Sequence, residues 1–204
     1  MSEPAMPPIT GLVLAGGMGR RMDSRDKGLV PLHGKPLVAH VIERLAPQVA
    51  TVLINANRNA ERYAQFGYPV FGDDIGGFAG PLAGLHAAMR RCPHPLLVTA
   101  PCDSPFLPLD LVARLAEALH AEDAEIAVAT SDGFAQPVFA LYRTALLPSL
   151  AAFVEGGGRK IDAWYASHRR VDVAFSDGGA FANINTLDEL RVFDGGTGSA
   201  TDPL

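Results

Sequence analysis

Lysine is scarce in this chain: Lys27, Lys35 and Lys160 are the three among 204 residues. Basic charge as a whole is in deficit, with 17 Lys and Arg against 22 Asp and Glu and a formal net charge of -5. Nucleic-acid binders carry a basic face as their footprint, so no nucleic-acid partner is expected. Cysteine is limited to Cys92 and Cys102, too few for a disulfide framework and wrongly spaced for a CxxC site. Six histidines occur without HxxxH or HExxH spacing, which removes the usual histidine metal motifs. No apolar run approaches the roughly 18 residues that a membrane span needs. Residues 1–8 are polar and proline-rich, with no apolar signal core. A cytoplasmic protein with no membrane partner is expected. A Walker A loop and a GxGxxG fingerprint are absent, and Ser104 lacks the GxSxG setting of a nucleophile elbow.

What is present is a soluble globular composition, 48% apolar and 19% charged. The length suits one domain, expected over residues 9–194, with a loose leader at 1–8 and a disordered tail at 195–204. The most informative stretch lies at its start. The apolar run Gly11-Leu12-Val13-Leu14-Ala15 stops at Gly16-Gly17, and Gly19, Arg20, Arg21, Arg25 and Asp26-Lys27-Gly28 follow. Apolar residues bounded by glycine read as a buried strand entering a tight loop. Glycines let backbone N–H groups converge on phosphate oxygens, and the basic residues add charge that amides lack. A solvated strand-to-helix turn is the plain alternative. One of three lysines placed just past this loop favours a nucleoside triphosphate clamp.

Strand and helix patterns alternate after it. Strands are expected at 9–15, 51–54, 69–71, 95–100, 125–130, 137–142 and 170–174, and helices from Pro36, then at 58–66, 81–91, 108–120, 144–153, 159–167 and 186–193. Such alternation implies an α/β fold with a mostly parallel central sheet covered on both faces, whose ligands gather beyond the carboxyl ends of the strands. The glycine loop, Asn55, Asp73 and Asp103 each follow a different strand, so one edge carries them all. Asp103 sits in Pro101-Cys102-Asp103-Ser104-Pro105, a stiff turn suited to present a hard oxygen to Mg²⁺, although a turn aspartate is the competing account. Asp73 with Asn55 can recognise a base, since a carboxylate accepts two N–H bonds; turn bonding within 55–57 and 73–74 is the alternative. Residues 156–160 form a second basic glycine loop, either a phosphate grip or an exposed loop. Asn183 and Asn185 can serve a ligand or cap the last helix, for which Thr186 is the N-cap. Cys102 reads as a packing residue.

Taken together, LAGGMGRRM at 14–22, DKGL at 26–29, GPLAG at 80–84, PCDSP at 101–105 and FANINTLDEL at 181–190 resemble the molybdenum cofactor guanylyltransferase family. The motifs cover nearly the whole chain. The resemblance implies a three-layer, Rossmann-like nucleotidyltransferase fold. It implies Mg²⁺-dependent transfer of GMP from GTP to the terminal phosphate of the molybdenum-molybdopterin cofactor, releasing pyrophosphate. It further implies that Leu14, Ala15, Gly16 and Gly17 line the GTP site and that Lys27 binds phosphates with help from Arg21. Asn55 and Asp73 then contact the nucleotide, Asp103 holds the metal, and Asn183 and Asn185 lie on the cofactor-substrate side. A monomer that meets cofactor-insertion or molybdoenzyme chaperone proteins is expected.

Asp23 departs from the family's usual glycine and can pair with Arg20 or Arg25. The cytidylyl relative lacks Asp-Lys-Gly, which is intact here. Two rivals share parts of the pattern: a sugar-nucleotide pyrophosphorylase, which generally needs a longer chain, and a silent GTP-binding sensor or carrier, which has no need of Asp103.

Overall fold

The computed structural model describes residues 6–16, 26–75 and 80–195. Its centre is the strand expected first, β1 (Ile9–Leu14), apolar apart from Thr10 and buried along most of its length because both of its faces are covered. In chain order there follow β2 (Pro31–Leu32), β3 (Lys35–Pro36), α1 (Leu37–Leu45), β4 (Thr51–Asn55), α2 (Ala60–Ala64), β5 (Val70–Phe71), α3 (Pro81–Met89), β6 (Leu96–Pro101) and α4 (Leu111–Ala121). The second half adds β7 (Ile126–Ser131), β8 (Phe134–Arg143), α5 (Leu147–Glu155), α6 (Ile161–Tyr165), β9 (Arg170–Phe175) and α7 (Leu187–Gly195). Seven strands form one sheet in the order β5-β4-β1-β6-β8-β7-β9. All neighbouring pairs are parallel except those made by β8. None of the helices among the described residues is long and apolar enough to cross a membrane.

Alternation along β1 divides the core between the two faces of the sheet. Ile9 and Val13 pack with Val38, Val41 and Leu45 of α1 and Leu111, Leu115 and Leu119 of α4. Leu12 points the other way, to Leu82, Leu85 and Met89 of α3, Leu150 and Val154 of α5 and Trp164 of α6. Three layers result. Burying one such aliphatic side chain is worth about 1.5–3 kcal/mol, so each helix is held mainly by its apolar face.

Two local departures from the expected pattern come from turn chemistry. Pro36 does not lie inside α1 but in β3, with extended backbone, and the helix begins at Leu37. The cause is the pair His33 (φ 50°) and Gly34 (φ 76°), a left-handed two-residue turn that folds 35–36 back on 31–32. Likewise Asp132 (φ 51°) and Gly133 (φ 79°) close a tight hairpin, so β8 starts at Phe134 rather than 137. The expected tail falls outside the described residues from 196 onward, as do residues 1–5 of the leader.

His86 on α3 is 7% exposed, and its Nδ1 is buried without a hydrogen-bond partner among the described residues. Burial first, then the charge of Arg90, pushes its pKa below the usual histidine value, while Asp74 pulls weakly the other way. The fold therefore favours neutral imidazole, and below the free histidine pKa near 6.5 the unfolded chain binds the extra proton. Stability is accordingly full at neutral pH and falls as pH drops through that range. Urea unfolding at pH 7.5 and 5.5 should show the loss at low pH, and His86→Leu should shrink it.

Candidate functional site

The carboxyl edge of the parallel strands collects most of the expected residues. Leu14 ends β1 in register with Asn55 of β4 and Pro101 of β6. The ladders continue one residue further: Ala15 N–H donates to Asn55 O at 2.8 Å, and Cys102 N–H donates to Leu14 O at 3.0 Å. Gly16 follows directly, where a Cβ would stand 3.0 Å from Asn57 Nδ2 and 3.1 Å from Asn55 Oδ1. The backbone can leave the strand here because no side chain intervenes. Gly17 and Arg21, like Asp23, lie outside the described residues.

Asn55 is buried, and its Nδ2 donates to Asp73 Oδ1 at 3.0 Å. Asn57 Nδ2 donates to Asp73 Oδ2 at 2.8 Å, and its Oδ1 accepts from Asp73 N–H at 2.8 Å. Both carboxylate oxygens thus hold one amide each and retain further acceptor capacity. Turn bonding and a ligand role are compatible, since the amides fix the carboxylate that faces the edge. Asp74 is committed elsewhere, to a bidentate pair with Arg91 at 2.7 and 2.8 Å, which holds its carboxyl below the usual range.

A second group forms around Lys27, which opens a short 3-10 turn over Lys27–Leu29. Its Nζ donates to Asp103 Oδ2 at 3.3 Å and to Asn185 Oδ1 at 2.6 Å. Three segments far apart in sequence thus meet at one ammonium group, whose side chain is 22% exposed beside an Asp103 side chain at 13%. Asn183 Oδ1 accepts from the Ser104 hydroxyl. Ile184 between the two asparagines is fully buried with Leu32, Leu37 and Leu190, and its N–H donates to Asp103 O at 2.9 Å. The asparagines are therefore aimed at the site by an apolar anchor.

Asp26, Tyr63 and Ser104 carried no role in the sequence reading. Asp26 accepts from Tyr63 OH and from Asn59 Nδ2 at 2.9 Å, so it braces the start of the lysine turn. Burial keeps the Tyr63 phenol protonated by pushing its pKa far up. Asn57 holds Asp73, the turn bonding weighed for 55–57 and 73–74, and Ser104 holds Asn183, with adjacency to Asp103 its one signal in the sequence. Cys102 is the packing residue expected: burial, then the charges of Asp103 and Asp26, raises its thiol well above the ordinary value. The loop at 156–160 follows α5, with Arg159 Nη1 donating to Gly158 O at 3.1 Å.

No three His, Cys, Asp or Glu side chains among the described residues converge as a metal cage. Asp103 supplies one carboxylate. Mg²⁺ commonly takes one or two carboxylates and completes its shell with substrate phosphates and water, so the donor set fits an ion that arrives on a triphosphate.

The MobA-like NTP transferase domain model matches residues 11–171. The chain belongs to this family. It is 56% identical over 191 residues to a molybdenum cofactor guanylyltransferase of Cupriavidus taiwanensis, covering 91% of this chain and 96% of the relative. A relative of the same name from Shewanella loihica is 51% identical, covering 91% of this chain and 95% of its own. Among solved structures, molybdopterin-guanine dinucleotide biosynthesis protein A from Archaeoglobus fulgidus superposes with a TM-score of 0.77 at 25% identity, covering 91% and 97% of the two chains. A nucleotidyl transferase of Methanothermobacter thermautotrophicus, at 19% identity and TM-score 0.73 over 92% of this chain and 97% of its own, shares the fold. This is a nucleotidyltransferase of the MobA-like family.

Gly84 of the GPLAG motif sits against the carboxyl edge of the strands. A Cβ there would stand 2.8 Å from Leu14 Cδ2 and closer still to Asn55 Oδ1. Gly84→Ala should displace Asn55, lower stability by about 1–3 kcal/mol as overpacked cores do, and weaken nucleotide binding. Chemical denaturation and binding of a fluorescent nucleotide check both effects.

Proposed function

We propose that this chain transfers GMP from GTP to the terminal phosphate of the molybdenum-molybdopterin cofactor, releasing pyrophosphate. The observation that carries the reading is the meeting of Lys27, Asp103 and Asn185 at the end of β6, across the edge from the Asn55–Asp73 pair. The guanylyltransferase names of relatives more than half identical over nine-tenths of the chain support the donor and the acceptor.

Guanine offers N1–H and N2–H₂ on one edge, a donor pair that the acceptor-only carboxylate of Asp73 can receive. Because the amides of Asn55 and Asn57 both donate to Asp73, they orient it instead of competing for the base. Cytosine would present a single amino donor beside a ring acceptor and match the carboxylate less well. At the other end of the nucleotide, an attacking phosphate monoester is already anionic near neutral pH and needs no strong base. The requirement is alignment of two repelling phosphates and neutralisation of the departing pyrophosphate. Lys27 can exchange its contact with Asp103 for a phosphate oxygen while Asn185 keeps hold of the ammonium. Arg21 adds charge in this reading. Asp103 would hold Mg²⁺, which when bound would supply Lewis-acid neutralisation of phosphate charge. Asn183 and Asn185 face the acceptor side, and displacement at the α-phosphorus is direct, without a nucleotidylated enzyme. The enzyme acts as a monomer that hands its product to cofactor-insertion proteins.

Pyrophosphate release measured with GTP, CTP or ATP, with and without acceptor and Mg²⁺, tests this reading. Release should require GTP, acceptor and metal together, and Asp103→Ala should reduce it by at least about 100-fold, the scale of lost electrostatic stabilisation in such sites. Preference for CTP would move the chain to the cytidylyl reaction. GTP binding without release would make it a sensor.

A further inference from the structure

The segment 183–185 is held from both sides, and the two sides differ. Toward the site, Asn185 Oδ1 accepts from Lys27 Nζ at 2.6 Å, closer than the 3.3 Å contact of Lys27 with Asp103. Behind it, Glu189 Oε2 accepts from Asn185 N–H at 2.6 Å and from Thr186 N–H at 3.2 Å, while Thr186 Oγ1 accepts from Glu189 N–H at 3.1 Å. Thr-x-x-Glu at a helix start is a capping box, in which the glutamate ordinarily returns to the N-cap amide. Here its shorter bond goes one residue further, to the amide of the residue that grips Lys27. Helix α7 needs the Thr186 contacts to begin; it has no need of the Asn185 contact.

We infer that Glu189 is a positioning residue for the transfer reaction, acting through Asn185 to hold the Lys27 ammonium beside Asp103. The inference rests on the reading of Lys27 as the triphosphate-binding cation. A lysine has a flexible four-carbon stem, and ordering it at the moment of binding costs entropy. An acceptor fixed in advance removes that cost. The amide oxygen of Asn185 suits the task because it carries no charge, so it holds the cation without cancelling the field that phosphates meet. Glu189 then places its charge on the backbone N–H of Asn185, one step removed from the ammonium. Its effect on Lys27 is geometric, transmitted by Asn185.

Steady-state kcat and KM for GTP, measured with melting temperatures, test this on Glu189→Ala, Glu189→Gln, Thr186→Ala, Asn185→Ala, Lys27→Ala and the double variant Asn185→Ala with Glu189→Ala. Glu189→Ala should lower kcat/KM for GTP by about tenfold, the scale on which a charge-assisted hydrogen bond is lost. Glu189→Gln keeps an acceptor oxygen and should recover most of that loss. The double variant should be no worse than Asn185→Ala, since both act on one contact. Thr186→Ala removes the other half of the box and should lower the melting temperature comparably while sparing kcat/KM. An equal loss of kcat/KM in Thr186→Ala, or additive losses in the double variant, would overturn the inference and leave Glu189 a helix cap. Loss of activity in Lys27→Ala with a fully active Glu189→Ala would overturn it while keeping the role of Lys27. A fully active Lys27→Ala would remove both.

Discussion

The parallel register of β1 against β4 and β6 is the constraint on which the site depends. Leu14 is opposite both Asn55 and Pro101, and the backbone bonds of Ala15 and Cys102 carry that register past the strand ends. Gly16, Asn55 and Asp103 therefore leave the sheet at one level. A slip of one residue would turn every apolar side chain of β1 to the opposite face. Since both faces are packed, by α1 and α4 on one side and α3 and α5 on the other, such a slip would unmake the core. The precision of the edge thus comes from burial some distance below it.

The sheet alone does not complete the site. Lys27 and Asn185 arrive on segments at opposite ends of the chain, joined by a small apolar cluster of Val30, Leu32, Leu37, Ile184 and Leu190. The hairpin of β2 and β3 supplies one wall of that cluster and α7 the other. The ion pair between Lys27 and Asp103 contributes little to folding in such a place, because desolvating both groups offsets most of their attraction. In the proposed reaction its use is preorganisation, a partly dehydrated cation and carboxylate held at contact distance before the substrate arrives.

Most of this was legible in the sequence where the local signal was dense. The apolar runs at 11–15 and 95–100 could be read as buried strands, and the polar residue after each strand marked the edge. Harder to read were features set by two residues at a time. His33-Gly34 and Asp132-Gly133 each make a left-handed turn, but only the second is a common hairpin pair. The contacts of Tyr63 with Asp26 and of Ser104 with Asn183 link residues 37 and 79 positions apart. No spacing rule reaches that far. Asn183 and Asn185 announced themselves as polar residues before a helix, which is equally the signature of a cap, and the buried Ile184 between them is what turns them toward the site.

That ambiguity of caps and ligands has a physical resolution here. A side-chain oxygen that caps a helix and one that grips a lysine need the same chemistry, a well-placed acceptor, so both roles select asparagine, threonine and glutamate. What separates the roles is direction. Thr186 turns inward upon the first turn of α7 and Glu189 reaches back to the amides of Thr186 and Asn185, whereas the Asn185 side chain turns away and spends its acceptor on Lys27. Asn55 shows the same logic at the other end of the edge: its amide is spent on Asp73, whose carboxylate keeps further acceptor capacity. In both places an uncharged amide steadies a charged partner without neutralising it. A site that handles a highly charged substrate keeps its own charges available in this way, and the amides supply the rigidity that more charges would have supplied at the expense of the field.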